Sequence, residues 1–164
     1  MPTVSNTSPI SNLAIIEKLD LLFDQFSQVF IPRSVFEELS RMTNTTARNL
    51  VLQAVEAGWL VVRHAISADT ISLLLASLHR GEAEAITLAL DIRAELLLMD
   101  ESDGRRIARE YGVPVRGILG ILLRARKTGR VSAIKPYIEM LKKDAKFFIA
   151  SDLEKSILAA AGES

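Results

Sequence analysis

Short apolar runs separated by helix-length segments are what most constrain the fold of this chain. Val29-Phe30-Ile31, Trp59 to Val62, Leu96-Leu97-Leu98-Met99 and Val113 to Val115 read as buried strands. No two of them are joined by a tight hairpin, and parallel strands need long crossovers that are usually helical. The economical architecture is therefore an α/β fold with a parallel sheet covered by helices on both faces. Leu96 to Met99, the most solid apolar run, reads as the central strand. With 164 residues, 49% hydrophobic and 24% charged, the chain has the size and composition of a single domain spanning 1–164.

Local signals place the helices. Pro2 to Asn6 is extended in character, and Thr7-Ser8-Pro9 supplies a cap and a first-turn proline, so a helix begins there. A second apolar run covers Leu19 to Phe26. Ser34-Val35-Phe36-Glu37 has the spacing of a capping box, which gives Glu37 a structural task and leaves Glu38 free. Thr45 to Ala57 is helical and closed by Gly58; Ser67 to Leu78 is helical again, and Gly81 separates it from Glu82 to Ile92. Gly104 to Tyr111, Ile118 to Thr128, Lys135 to Lys143 and Ser151 to Ala160 complete the set. Phe147-Phe148-Ile149 reads either as an edge strand or as a docked loop.

Bulk charge points to no partner, because 20 basic side chains balance 20 acidic ones. The absence of cysteine removes disulfides, thiol catalysis and thiolate metal sites, and fits a reducing cytoplasm. Glu17 and Asp20 interrupt the apolar residues of the start, and no apolar stretch reaches the ~20 residues that cross a bilayer. The expectation is a cytoplasmic protein without a membrane partner.

The chemistry must come from a local constellation. In open parallel sheets ligands collect at the carboxyl ends of strands where strand order reverses, and Asn6 and Asp100 occupy such ends. Glu38 and Glu82 lie at or near the starts of helices entering beside them. Converging carboxylates repel unless a cation neutralises them. Magnesium or manganese suits oxygen ligands, can activate a water and can stabilise a departing phosphodiester oxygen, so hydrolysis of a nucleic-acid backbone follows. Each acid also has a plainer reading: Glu82 as compensation of a helix dipole, Asp100 as a helix N-cap, Glu38 as a solvated charge. Glu84, Asp103 and Glu37 are the neighbouring alternatives, with Glu84 the main rival to Glu82.

Charge is also unevenly distributed. His79 to Asp103 holds seven acidic side chains against Arg80 and Arg93, while Gly104 to Arg130 holds eight basic ones against Glu110 alone. A basic flank beside an acidic centre would draw a phosphate backbone to a site that otherwise repels it. The same cations also read as the wet faces of two helices. His64 and His79 lack partners at metal-ligand spacing, and Gly117-Ile118-Leu119-Gly120 has an apolar middle that favours close packing over phosphate gripping.

At these residues the chain resembles the PIN-domain family, in particular its uncharacterised branch related to the VapC toxins of toxin–antitoxin pairs. Val4-Ser5-Asn6-Thr7-Ser8-Pro9 resembles the family's first strand and turn. Ile31 to Leu39 resembles the second block, with Glu38 on its second acid. Gly81-Glu82-Ala83-Glu84-Ala85-Ile86, then Ala89 and Leu96 to Asp100, resemble the block holding the third and fourth acids, with Glu82 the better match for the third. Gly112 to Gly120 and the closing Ala161-Gly162-Glu163 are features of this branch. The resemblance implies a three-layer fold with a five-stranded parallel sheet, magnesium- or manganese-dependent endoribonuclease activity on RNA, frequent homodimers and, for toxin members, a small antitoxin partner. It assigns the metal and the catalysis to Asn6, Glu38, Glu82 and Asp100. Asn6 departs from the family's first aspartate, keeping an acceptor oxygen but losing the charge. That departure supports a competing reading, a non-catalytic PIN-like module that binds RNA or a protein partner. A receiver-type phospho-switch fits poorly, because no acidic pair follows the first strand.

Overall fold

The computed structural model describes residues 2–164. Five short strands, β1 (Thr3–Ser5), β2 (Val29–Ile31), β3 (Leu60–Val62), β4 (Leu96–Leu98) and β5 (Val115–Arg116), form one sheet in the order β3-β2-β1-β4-β5. Every pairing is parallel, with Val4 opposite both Phe30 and Leu97. The central strand is β1, not Leu96 to Met99. Thr3 and Ser5 are polar yet 4% and 0% exposed, so the apolar content of β1 understates its burial. Strand order reverses where β1 meets β4, which puts the crevice at the carboxyl ends of these two strands.

The crossovers supply α1 (Thr7–Ile15), α2 (Asp20–Phe26), α3 (Arg33–Ser40), α4 (Thr45–Glu56), α5 (Ala68–Leu74), α6 (Arg80–Asp91) and α7 (Ser102–Glu110). After β5 come α8 (Ile118–Lys127), α9 (Lys135–Asp144) and α10 (Ser151–Ala160). Side chains alternate across the strands, so the sheet divides the core in two. Val29, Ile31, Leu60 and Leu98 pack with α1, α3, α4, α8 and α9, while Val4, Leu97 and Met99 pack with α6 and α7. Three layers result. Among the described residues no helix is long and apolar enough to cross a membrane.

Several local expectations are corrected by tertiary contacts. Helix α1 takes Asn6 as its N-cap residue, with Thr7, Ser8 and Pro9 all inside its first turn. The Ser34–Glu37 capping box does not form. Pro32 holds the N-cap position of α3, Ser34 Oγ donates across to Glu84 Oε1 at 2.8 Å, and Glu37 makes an exposed pair with Arg33. Gly81 lies within the first turn of α6 rather than ahead of it. Helix α5 stops at Leu74, and of the two readings left open for Phe147 to Ile149 the loop is the one that holds. Gly58 and Gly112 do end their helices, at φ +86° and +80°, a backbone region that glycine enters without a Cβ clash.

The closing Glu163 has a clear structural task. Its carboxylate accepts the backbone N–H groups of Ile134 and Lys135 at 2.8 and 3.1 Å, which satisfies donors at the N-terminus of α9. Arg126 Nε lies 4.0 Å away. The C-terminal end is thereby tied to α8 and α9.

Candidate functional site

Asn6 leaves the carboxyl end of β1 at 2% exposure, and its backbone N–H is held by the Leu98 carbonyl of β4 at 3.1 Å. Its side chain is oriented by a residue that the sequence did not single out. Asn6 Nδ2 donates to Glu101 Oε1 at 3.0 Å, and Ser8 Oγ donates to Glu101 Oε2. With the amide turned toward Glu101, Asn6 Oδ1 is buried without a partner among the described residues.

Asp100 follows β4 on the neighbouring strand end. It is not the N-cap of α7, whose N-cap position belongs to Glu101. Instead Asp100 Oδ1 accepts the Ile118 backbone N–H at 2.9 Å, at the start of α8. Its other oxygen, Oδ2, is buried and has no partner among the described residues. Burial, with help from the nearby Glu101 charge, pushes the Asp100 carboxyl up to about 6, against the lowering effects of the Ile118 N–H and Arg105.

A glycine makes this arrangement possible. A Cβ on Gly117 would sit 2.5 Å from Asp100 Oδ1 and 2.8 Å from Arg105 Nη1, so only a bare backbone admits both groups. Arg105 Nη1 donates to the Met99 carbonyl at 3.0 Å, which fixes a guanidinium beside the acid.

Glu82 reaches the same crevice from the first turn of α6. Its Oε1 accepts the His79 backbone N–H at 3.2 Å, so one of its two oxygens caps the helix start, a role beyond compensation of the helix dipole. Burial raises its carboxyl above the ordinary range, and the charges of Glu101 and Asp103 add to that rise. Glu101 is thus the common neighbour of Asn6, Asp100 and Glu82. Glu84 is committed elsewhere, with Ser34 on one oxygen and Arg80 on the other.

Glu38 lies in the last turn of α3, not near its start. Its Oε1 covers Gly81, where a Cβ would stand 2.5 Å away, so it borders the turn of α6 that carries Glu82. The Glu38 side chain makes no hydrogen bond among the described residues, and the residue remains exposed. Asp103 is an exposed partner of Arg106. No group of three or more His, Cys, Asp or Glu side chains among the described residues stands ready-made around a metal position.

The basic flank divides in two. Arg106 pairs with Glu110 and Asp103, Arg130 with Asp24, and Arg126 approaches Glu163. Arg105, Arg109, Arg116, Arg124 and Lys127 make no ion pair among the described residues. Of these five, Arg105 and Arg116 border Asp100 and Arg109 lies near Arg105, leaving positive charge beside the crevice, whereas Arg124 lines a hollow with Thr3, Leu96 and Pro114 at the opposite ends of the strands.

An oxygen-rich acidic crevice at the switch point of a 3-2-1-4-5 parallel sheet defines a class of α/β protein. A family model described as a PIN domain matches residues 2–163, and the chain belongs to the PIN domain family. Members of that family are typically nucleases and generally depend on a metal. No curated protein matches the chain.

Proposed function

We propose that this protein is a magnesium- or manganese-dependent endoribonuclease whose ion is held by Asn6, Glu38, Glu82 and Asp100. The observation that carries the reading is a pair of buried oxygens without partners, Asn6 Oδ1 and Asp100 Oδ2, at adjacent strand ends. A buried acceptor left unsatisfied costs on the order of 1–3 kcal/mol, and a cation that enters this crevice satisfies both. The donor set is all oxygen, which fits a hard divalent ion that keeps part of its water shell. When bound, such an ion supplies an activated water and charge stabilisation for the leaving oxygen.

The protein's own groups do the rest. Glu101 and Ser8 hold the Asn6 amide so that its oxygen faces the crevice, and the Ile118 N–H fixes the Asp100 carboxyl plane. Arg105 and its unpaired neighbours attract the phosphate backbone. A toxin role, with a small antitoxin partner and a homodimer, rests on the family resemblance.

The second reading is a non-catalytic PIN-like module that binds RNA or a protein. It is favoured by the Asn6 to Glu101 hydrogen bond, which satisfies a carboxylate oxygen of the crevice without metal. Thermal shift separates the two. Manganese at a hundred times its dissociation constant adds about 2.7 kcal/mol of stability, a rise of about 5–10 °C for a chain of this size. Asp100→Ala should abolish that rise. An equal rise in wild type and variant would remove Asp100 from the site.

A further inference from the structure

Beside the crevice lies a second cavity of about 410 Å³, bounded by Asp100, Arg105, Arg116, Gly117, Gly120 and Phe148. Its volume lies within the ~300–1,000 Å³ of small-ligand sites. Asp100 is its inner wall, so whatever fills it touches the proposed catalytic centre. Its chemistry is of two kinds. Neither Arg105 nor Arg116 makes an ion pair among the described residues, though Arg105 stands beside Asp100 and the Arg116 guanidinium lies over the Phe26 ring, 6.0 Å from its centroid. Gly120 gives Arg116 room, since a Cβ there would stand 2.8 Å from its Cγ. At the rim, Phe148 is 86% exposed, the most exposed large apolar side chain described, although Phe147 and Ile149 on either side are packed into the core. The packed neighbours anchor the backbone on both sides of Phe148, so its ring projects into water from a held segment.

An occupant must therefore be anionic on one side and flat and apolar on the other. We propose that this cavity is a nucleotide subsite of the RNA substrate, with a base stacked on Phe148 and its phosphate held by Arg105 and Arg116. A base paired within a helix is already stacked and cannot reach the ring, so the occupant is an unpaired nucleotide of a single strand. The subsite deepens the ribonuclease reading and rests on it, because Asp100 belongs to both.

The test is fluorescence anisotropy in chelator with a short single-stranded RNA, the same RNA with abasic positions, and the corresponding duplex. Wild type and Phe148→Ala are compared after melting curves show that both fold. Loss of one stacked base weakens single-strand binding by about 10-fold. The abasic strand should bind both proteins alike, at the level of the variant with intact RNA. Unchanged affinity for intact RNA in Phe148→Ala overturns the subsite, as does an equal loss with the abasic strand. If wild type binds no RNA, the subsite is likewise refuted and a protein partner for Phe148 becomes the better account. Cleavage in manganese is scored separately. Phe148-dependent binding without cleavage removes the nuclease and keeps the subsite, whereas cleavage indifferent to Phe148 does the reverse.

Discussion

Asn6→Asp should lower the melting temperature of the chelated protein by on the order of 10 °C and recover most of that loss in manganese. Asn6 Nδ2 donates to Glu101 Oε1 at 3.0 Å from a position only 2% exposed. Aspartate has no proton to give at neutral pH, so two carboxylates would face each other where one hydrogen bond stood. Leaving a buried charge uncompensated costs about 3–5 kcal/mol, and each kcal/mol is worth about 2–4 °C in a chain of this length. Manganese reverses the sign, because the added charge becomes a hard ligand for the ion. Cleavage should then strengthen. Calorimetry of wild type and variant, each with chelator and with manganese, checks this. Equal losses in both conditions, with no gain in cleavage, would make Asn6 a structural asparagine and favour the non-catalytic module.

Asp100→Asn should have the opposite effect on stability and a larger one on activity. Below the ordinary aspartate range Asp100 is protonated in folded and unfolded chains alike and contributes no pH dependence. As pH rises, the unfolded chain releases its proton first, while the folded chain holds it until about 6. The folded state then binds more protons, so stability falls with rising pH through that window. Above it the penalty reaches about 3 kcal/mol. Asparagine keeps the acceptor for the Ile118 N–H and cannot ionise. Chelated Asp100→Asn should therefore be more stable than wild type at pH 7 and equal to it near pH 3.5. Cleavage should drop by about two orders of magnitude, the usual trade of stability against function. Urea melts between pH 3.5 and 7.5 test this, and identical pH profiles for the two proteins would contradict it.

What was legible in the sequence followed from patterns that tertiary contacts reinforce. Apolar runs too far apart for hairpins announced a parallel sheet and put Asn6 and Asp100 at strand carboxyl ends, while the pairing of β1 with β4 that sets those ends side by side came from the fold. Which strand sat in the middle was not legible, because β1 buries the polar Thr3 and Ser5 while β4 carries the richer apolar run. The Ser34 and Glu37 pair matched a capping box in spacing, but spacing does not reveal that α3 packs on α6 and offers Ser34 to Glu84. The same packing gives Glu84 two side-chain partners, Ser34 and Arg80, which its spacing from Glu82 does not announce.

Glu101 was missed for a related reason. Next to Asp100 and ahead of Asp103 it reads as one more acid at a helix start, and only the fold brings Asn6 and Ser8 to its two oxygens. Glu38 reads as lying near the start of its helix and stands in the last turn of α3. Its contact with Gly81 depends on how closely α3 and α6 approach, which no one-dimensional pattern records.

The most direct measurement is single-turnover cleavage of a single-stranded RNA in manganese by wild type, Asp100→Asn and Asn6→Asp. The order Asn6→Asp, wild type, Asp100→Asn from fastest to slowest, with all cleavage lost in chelator, is the result expected. Equal rates in wild type and Asp100→Asn, or cleavage that survives chelation, would contradict the assignment of metal-dependent RNA hydrolysis to this crevice.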